Sequence, residues 1–123
     1  MDKIEEILNL LRRIKEENVP LVVEGKKDVD ALRYIGIKGD IKPLNGKPLY
    51  EFAEEISKEF SEVIILTDFD KEGKNLKKML IFYFEKNGVK TNTEYWKKLS
   101  TLSKSTTIEG LKNIKKEVLT WVL

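Results

Sequence analysis

The chain has 123 residues, 41% of them hydrophobic, which suits a single domain with one modest core. Its 23 basic and 21 acidic residues leave a formal charge of +2, and it contains no Cys and no His. Those two zeros exclude disulfides, thiolate nucleophiles, zinc–thiolate sites and imidazole acids or bases, leaving carboxylates, lysines, hydroxyls and a metal held by oxygen.

Residues 2–17 place Ile4, Ile7, Leu8, Leu11 and Ile14 at helical spacing, with acids at the start and Arg12, Arg13 and Lys15 towards the end, as the helix dipole favours. After Pro20, the run Leu21-Val22-Val23 predicts a short strand ending in Glu24-Gly25. A helix is expected from Asp28 to Ile35, closed by Gly36, and then a strand over Ile41–Leu44 whose Pro43 marks an edge or an end. Asn45-Gly46 is a turn signal. A further amphipathic helix covers 49–60, and Val63-Ile64-Ile65-Leu66 reads as a central parallel strand, apolar on both faces. It ends in Thr67-Asp68-Phe69-Asp70. The next helix spans about 71–87, with Leu76, Met79, Leu80 and Tyr83 as its buried stripe and Gly88 beyond its end. A last strand is expected over Val89–Asn92, a short helix over 93–102, a polar loop over 103–107, and a final helix from Thr107 to Trp121 capped by Thr106 with Glu109. Strands alternating with helices predict an α/β domain with a mostly parallel sheet of about four strands, carrying extra helices at both ends.

No apolar run approaches the ~20 residues of a membrane span, and the charged N-terminus lacks a signal-peptide core, so a cytoplasmic protein with no membrane association is expected.

In open parallel sheets, ligands bind beyond the carboxyl ends of the strands, and two predicted strands end there in acid. Taken singly, Glu24-Gly25 is an ordinary turn, and Asp68-Phe69-Asp70 an ordinary pair of helix-cap candidates. Together they place Glu24, Asp68 and Asp70 at one edge, with residues 68 and 70 pointing the same way if the segment is extended. Three gathered carboxylates call for a cation, and an all-oxygen donor set selects Mg2+ or Mn2+, often shared with substrate phosphates. Gly25 leaves room for a ligand, Gly73 opens a helix whose amides face anions, and Lys26, Lys27, Lys71 and Lys74 flank the same edge as candidate phosphate contacts. A nucleotide cradle is the weaker reading, because neither G-x-G-x-x-G nor a P-loop is present.

Glu24-Gly25-Lys26-Lys27-Asp28 and Asp68-Phe69-Asp70-Lys71-Glu72-Gly73, in this order, resemble the two motifs of the Toprim domain. That metal-binding, Rossmann-like fold is shared by topoisomerases, bacterial-type primases, OLD-family nucleases and RecR-type recombination proteins. The chain is similar to the small stand-alone Toprim proteins of archaea and, more distantly, to the Toprim domain of the ribonuclease that matures 5S ribosomal RNA. The resemblance implies one Toprim domain over 1–123, with a core at about 20–92, an N-terminal helix at 2–17 and a helical extension at 93–123. It implies Glu24 as general acid or base and additional metal contact, Asp68 and Asp70 as ligands of Mg2+ or Mn2+, and Asp28 as a supporting acid. Topoisomerases often carry another acid where this chain has Lys74, and they need a tyrosine on a separate domain. Primases need a zinc ribbon, which a chain without Cys cannot build. The expected function is Mg2+-dependent action on the phosphodiesters of RNA or DNA, of nuclease or RNA-processing type. The alternative is a non-catalytic metal- or nucleic-acid-binding module of the RecR kind. Its terminal helices would then dock a partner protein or form a homodimer, although helices that merely cover the sheet are the simpler expectation.

Overall fold

The apolar strands explain the architecture. A computed structural model describes residues 3–103 and 107–112. Within them, β1 (Leu21–Val23), β2 (Ile41–Pro43), β3 (Glu62–Ile65) and β4 (Lys90–Asn92) form one parallel sheet in the order β2-β1-β3-β4. Pro43 sits on the edge strand β2, where its missing N–H costs no ladder bond to a further strand. The α/β fold with a four-stranded parallel sheet agrees with the sequence expectation.

Side-chain alternation along the strands feeds two cores. Leu21, Val23, Ile64 and Leu66 face a layer made by α1 (Lys3–Glu16), α2 (Lys26–Ile35) and α5 (Glu94–Leu102), through Leu11, Ile14, Leu32 and Leu99. Val22, Val63 and Ile65 face α3 (Leu49–Ser57) and α4 (Lys71–Lys86), through Phe52, Ile56, Leu80 and Phe84. Strands apolar on both faces are what a sheet covered on both sides requires. The helices nearest the two ends, α1 and α5, pack on each other and bury their apolar faces in the first core.

The structure corrects several sequence expectations. The helix expected at 28–35 starts at Lys26, because the Asp28 carboxylate accepts a hydrogen bond from Gly25 N (3.0 Å) and so works inside the first turn. The helix expected at 49–60 ends at Ser57. Along α4 the buried stripe is Gly73, Lys77, Leu80 and Phe84, while Met79 is exposed and Leu76 and Tyr83 are half-buried. The cause is Gly73, which lies against the Asp68 backbone and sets the rotation of the helix. The element expected from Thr107 opens as a 3-10 turn at Glu109–Leu111, with Thr107 Oγ1 accepting from Gly110 N (3.1 Å). The Thr106 cap and the helix beyond residue 112 lie outside the described residues. No helix among the described residues is long and apolar enough to cross a membrane.

Candidate metal centre

Strand order decides where a site can form. The chain leaves β1 through α2 to β2 on one side, then crosses through α3 to β3 on the other side of β1. Connections therefore diverge between β1 and β3, opening a crevice beyond their carboxyl ends. Glu24 follows β1 directly, and residues 66–70 follow β3. Leu66 N donates to Val22 O (2.8 Å), which holds the two strand ends level. Asp68 N then donates to Glu24 Oε2 at 2.7 Å, so the two sequence motifs touch. A cleft of about 350 Å³ opens beside this contact, lined by Glu24, Gly25, Lys26, Lys27, Asp28, Asp68, Thr107 and Glu109.

The acids are tied down individually. Asp68 Oδ1 accepts from Ile108 N (2.8 Å), and Asp70 Oδ1 caps α4 by accepting from Gly73 N (2.7 Å). Asp70 is not among the cleft-lining residues, because the segment leaves strand geometry after Ile65 and Asp70 turns to serve the helix. Asp70 Oδ1 is thus engaged as the cap of α4, while the Asp70 charge still reaches Glu24. Among the described residues, no three acidic side chains already stand together as a ligand set for one ion. Like charges gathered in one cleft repel, and each of these carboxylates is held instead by a backbone N–H.

Burial, more than their mutual repulsion, acts on two of the acids. The Glu24 carboxyl is pushed up to about 7, first by burial and then by the charges of Asp68, Asp28 and Asp70, against the lowering effect of the Asp68 N–H. Asp28 is also raised, chiefly by burial, with Asp68 and Glu109 adding repulsion. A group of hard oxygen donors whose charges oppose one another fits a small divalent cation, and the donor set matches Mg2+ or Mn2+.

The motif glycines have different reasons to be glycine. A Cβ on Gly73 would lie 2.0 Å from Asp68 O, so the start of α4 packs directly on the acidic loop. Its N–H serves Asp70, and its carbonyl accepts from the buried Thr67 Oγ1 (2.7 Å). The expected anion contact by the Gly73 amide is thus replaced by a packing role. Gly25 has extended backbone and open space where its Cβ would be. Gly25→Ala is therefore expected to fold with stability within about 0.5 kcal/mol of the parent by urea unfolding. Lys26 and Lys27 line the cleft, whereas Lys71 and Lys74 stand exposed on α4.

Thr107, Ile108 and Glu109 were invisible to motif reading, since no local pattern links them to residues 24 or 68. Trp96 is a further neighbour: its Nε1 donates to Thr67 O (2.9 Å), and Phe69 meets its ring edge-on at 5.8 Å.

Comparison with known proteins agrees with this geometry. Residues 19–102 match the Toprim domain. The chain is 39% identical over 94 residues to a UPF0292 protein of Methanocaldococcus jannaschii, covering 76% of this chain and 73% of that one. A UPF0292 protein of Methanosarcina barkeri is 36% identical over 103 residues, covering 84% of this chain and 72% of that one. A solved structure of a protein from Aquifex aeolicus shares the fold, with a TM-score of 0.68, 22% identity, and coverage of 88% of this chain and 94% of that one. Toprim domains generally bind divalent metal ions such as Mg2+. With both acidic motifs meeting at the β1/β3 crevice and the match spanning most of its length, the chain belongs to the Toprim domain family.

Proposed function

We propose that this protein is a Mg2+- or Mn2+-dependent factor acting on nucleic-acid phosphodiesters, of nuclease or RNA-processing type. The observation that supports it most is the direct Glu24–Asp68 contact in the crevice, with the Glu24 carboxyl near neutrality. A carboxyl in that range can both take and give a proton at physiological pH, as general acid–base catalysis requires. Glu24 accordingly handles the proton of the attacking or leaving oxygen, and also touches the ion. Asp68 and Asp70 hold the metal, with Asp28 supporting the cleft. Lys26 and Lys27 steady the backbone at the cleft rim. A divalent ion held there would supply positive charge to a non-bridging phosphate oxygen.

Asp68→Asn and Asp70→Asn test the reading cleanly, because Asn preserves both backbone caps. Each is expected to lose metal-dependent cleavage by about 100-fold or more, with unfolding in EDTA changed by less than about 1 kcal/mol. Wild-type protein that leaves a broad panel of RNAs and DNAs uncut with either metal would overturn the catalytic reading. Binding of metal and nucleic acid without cutting would point instead to a non-catalytic module.

A further inference from the structure

A segment outside both motifs also reaches the cleft. The family match ends at residue 102, and beyond it the chain returns to the acidic loop with Thr107, Ile108 and Glu109.

Apolar burial holds this segment in place. Ile108 and Leu111 are fully buried in the first core, which also takes Leu32 of α2. They are three residues apart, and in a 3-10 turn residues i and i+3 lie on one side. Glu109 and Lys112 therefore share another side, and their charged ends meet at 3.4 Å. Thr107 Oγ1 closes the turn on Gly110 N, while Ile108 N donates to Asp68 Oδ1 at 2.8 Å. The residue that anchors the turn thus grips a motif aspartate, and Glu109 is fixed one position from that grip.

A glutamate at this place needs a reason. Glu24, Asp28 and Asp68 already line the cleft, and a fourth carboxylate adds to the repulsion among them. Packing does not ask for it. The Glu109 side chain is 42% exposed, and its pairing with Lys112 joins two partly solvated groups, which contributes little. Nor does it complete a set of direct ligands, since no three acids among the described residues stand together for one ion. A carboxylate that lines the cleft without closing on the other acids is placed to act across water. Mg2+ takes few carboxylates directly and keeps several waters, which need acceptors.

We infer that Glu109 is the outer acid of the metal centre. It accepts hydrogen bonds from the waters around a divalent ion held at Glu24 and Asp68, and its charge tightens the hold on that ion. The inference rests on the proposed binding of Mg2+ or Mn2+, but on neither nucleic acid nor cleavage.

The test is Mn2+ binding to the full chain, stripped of metal and free of nucleic acid, with unbound Mn2+ counted by electron paramagnetic resonance. Glu109→Gln is expected to weaken binding about 10-fold, with Tm in EDTA within about 3 °C of the parent. Glu109→Asp keeps the charge and should stay within about threefold of wild type. Asp30→Asn removes the same charge from α2, where Asp30 lines the neighbouring groove and not the cleft, and should change affinity less than about twofold. Asp68→Asn, at a proposed ligand, should lose about 100-fold or more. Unchanged affinity in Glu109→Gln beside a loss in Asp68→Asn would overturn the role of Glu109 and leave the metal centre standing. Equal losses in Glu109→Gln and Asp30→Asn would reduce the effect to the general field of the protein and overturn it too. A loss in Glu109→Gln matching that of Asp68→Asn would make Glu109 a direct ligand and overturn the water-mediated role. Wild-type protein that binds no Mn2+ would overturn this inference together with the metal reading.

Discussion

Gly73→Ala is expected to destabilise the fold by about 3 kcal/mol or more in urea unfolding. Helix propensity alone argues the reverse, since Ala is favoured over Gly inside a helix by about 1 kcal/mol. The clash decides the sign. The new Cβ would stand 2.0 Å from Asp68 O and 2.6 Å from Asp68 C, and both obstacles are backbone atoms that no rotamer change can move. Relief requires the first turn of α4 to lift from the loop. That would stretch the Thr67 Oγ1–Gly73 O and Gly73 N–Asp70 Oδ1 hydrogen bonds, each 2.7 Å long. The thermal response to Mg2+ should fall as well, because the same movement displaces Asp68 and Asp70. A Gly73→Ala variant as stable as the parent would show that the close approach is not a constraint. Backbone conformation is not the reason for this glycine, since the positive-φ glycines among the described residues are Gly36, Gly46 and Gly88.

This glycine also shows where sequence reasoning stops. Its position after Asp-x-Asp was legible, but a motif does not say whether a glycine serves a ligand or a neighbouring carbonyl. The phase of α4 follows from that distinction. Hydrophobicity alone favours Leu76 and Met79 as buried, whereas the Gly73 contact turns Lys77 inward onto Trp96. By contrast, the convergence of Glu24 and Asp68 was legible because each follows a strand apolar on both faces, and such strands become neighbours in a parallel sheet. The roles of Ile108 and Glu109 were not legible. Ile108 acts on Asp68 through its backbone N–H, which leaves no trace in residue type, and Glu109 reaches the cleft from 41 positions beyond Asp68.

The second large effect concerns Glu24, where stability and the proposed chemistry pull in opposite directions. Its carboxyl is near 7 when folded against an ordinary value of 4.5. Between those values the native state binds more protons than the unfolded chain, so stability falls as pH rises through that window and stays reduced above it. Glu24→Gln cannot ionise, and its amide oxygen can still accept from Asp68 N. The variant is therefore expected to be more stable than wild type at pH 8, by about 1–2 kcal/mol after allowing for solvent screening of a partly exposed group, and indistinguishable at pH 4. In a chain of this size that corresponds to a rise in Tm of about 5 °C, read from thermal melts in EDTA across the pH range. A shallower slope should persist in the variant, because burial also raises Asp28. Metal-dependent cleavage should fall by about 100-fold or more in the same protein. Parallel pH profiles for variant and wild type would show that burial and the neighbouring acids do not raise the Glu24 carboxyl. A gain in stability joined to a loss of cleavage would mean that this buried carboxyl is retained for the proposed chemistry, since nothing in the packing of the strands requires a carboxylate at this position.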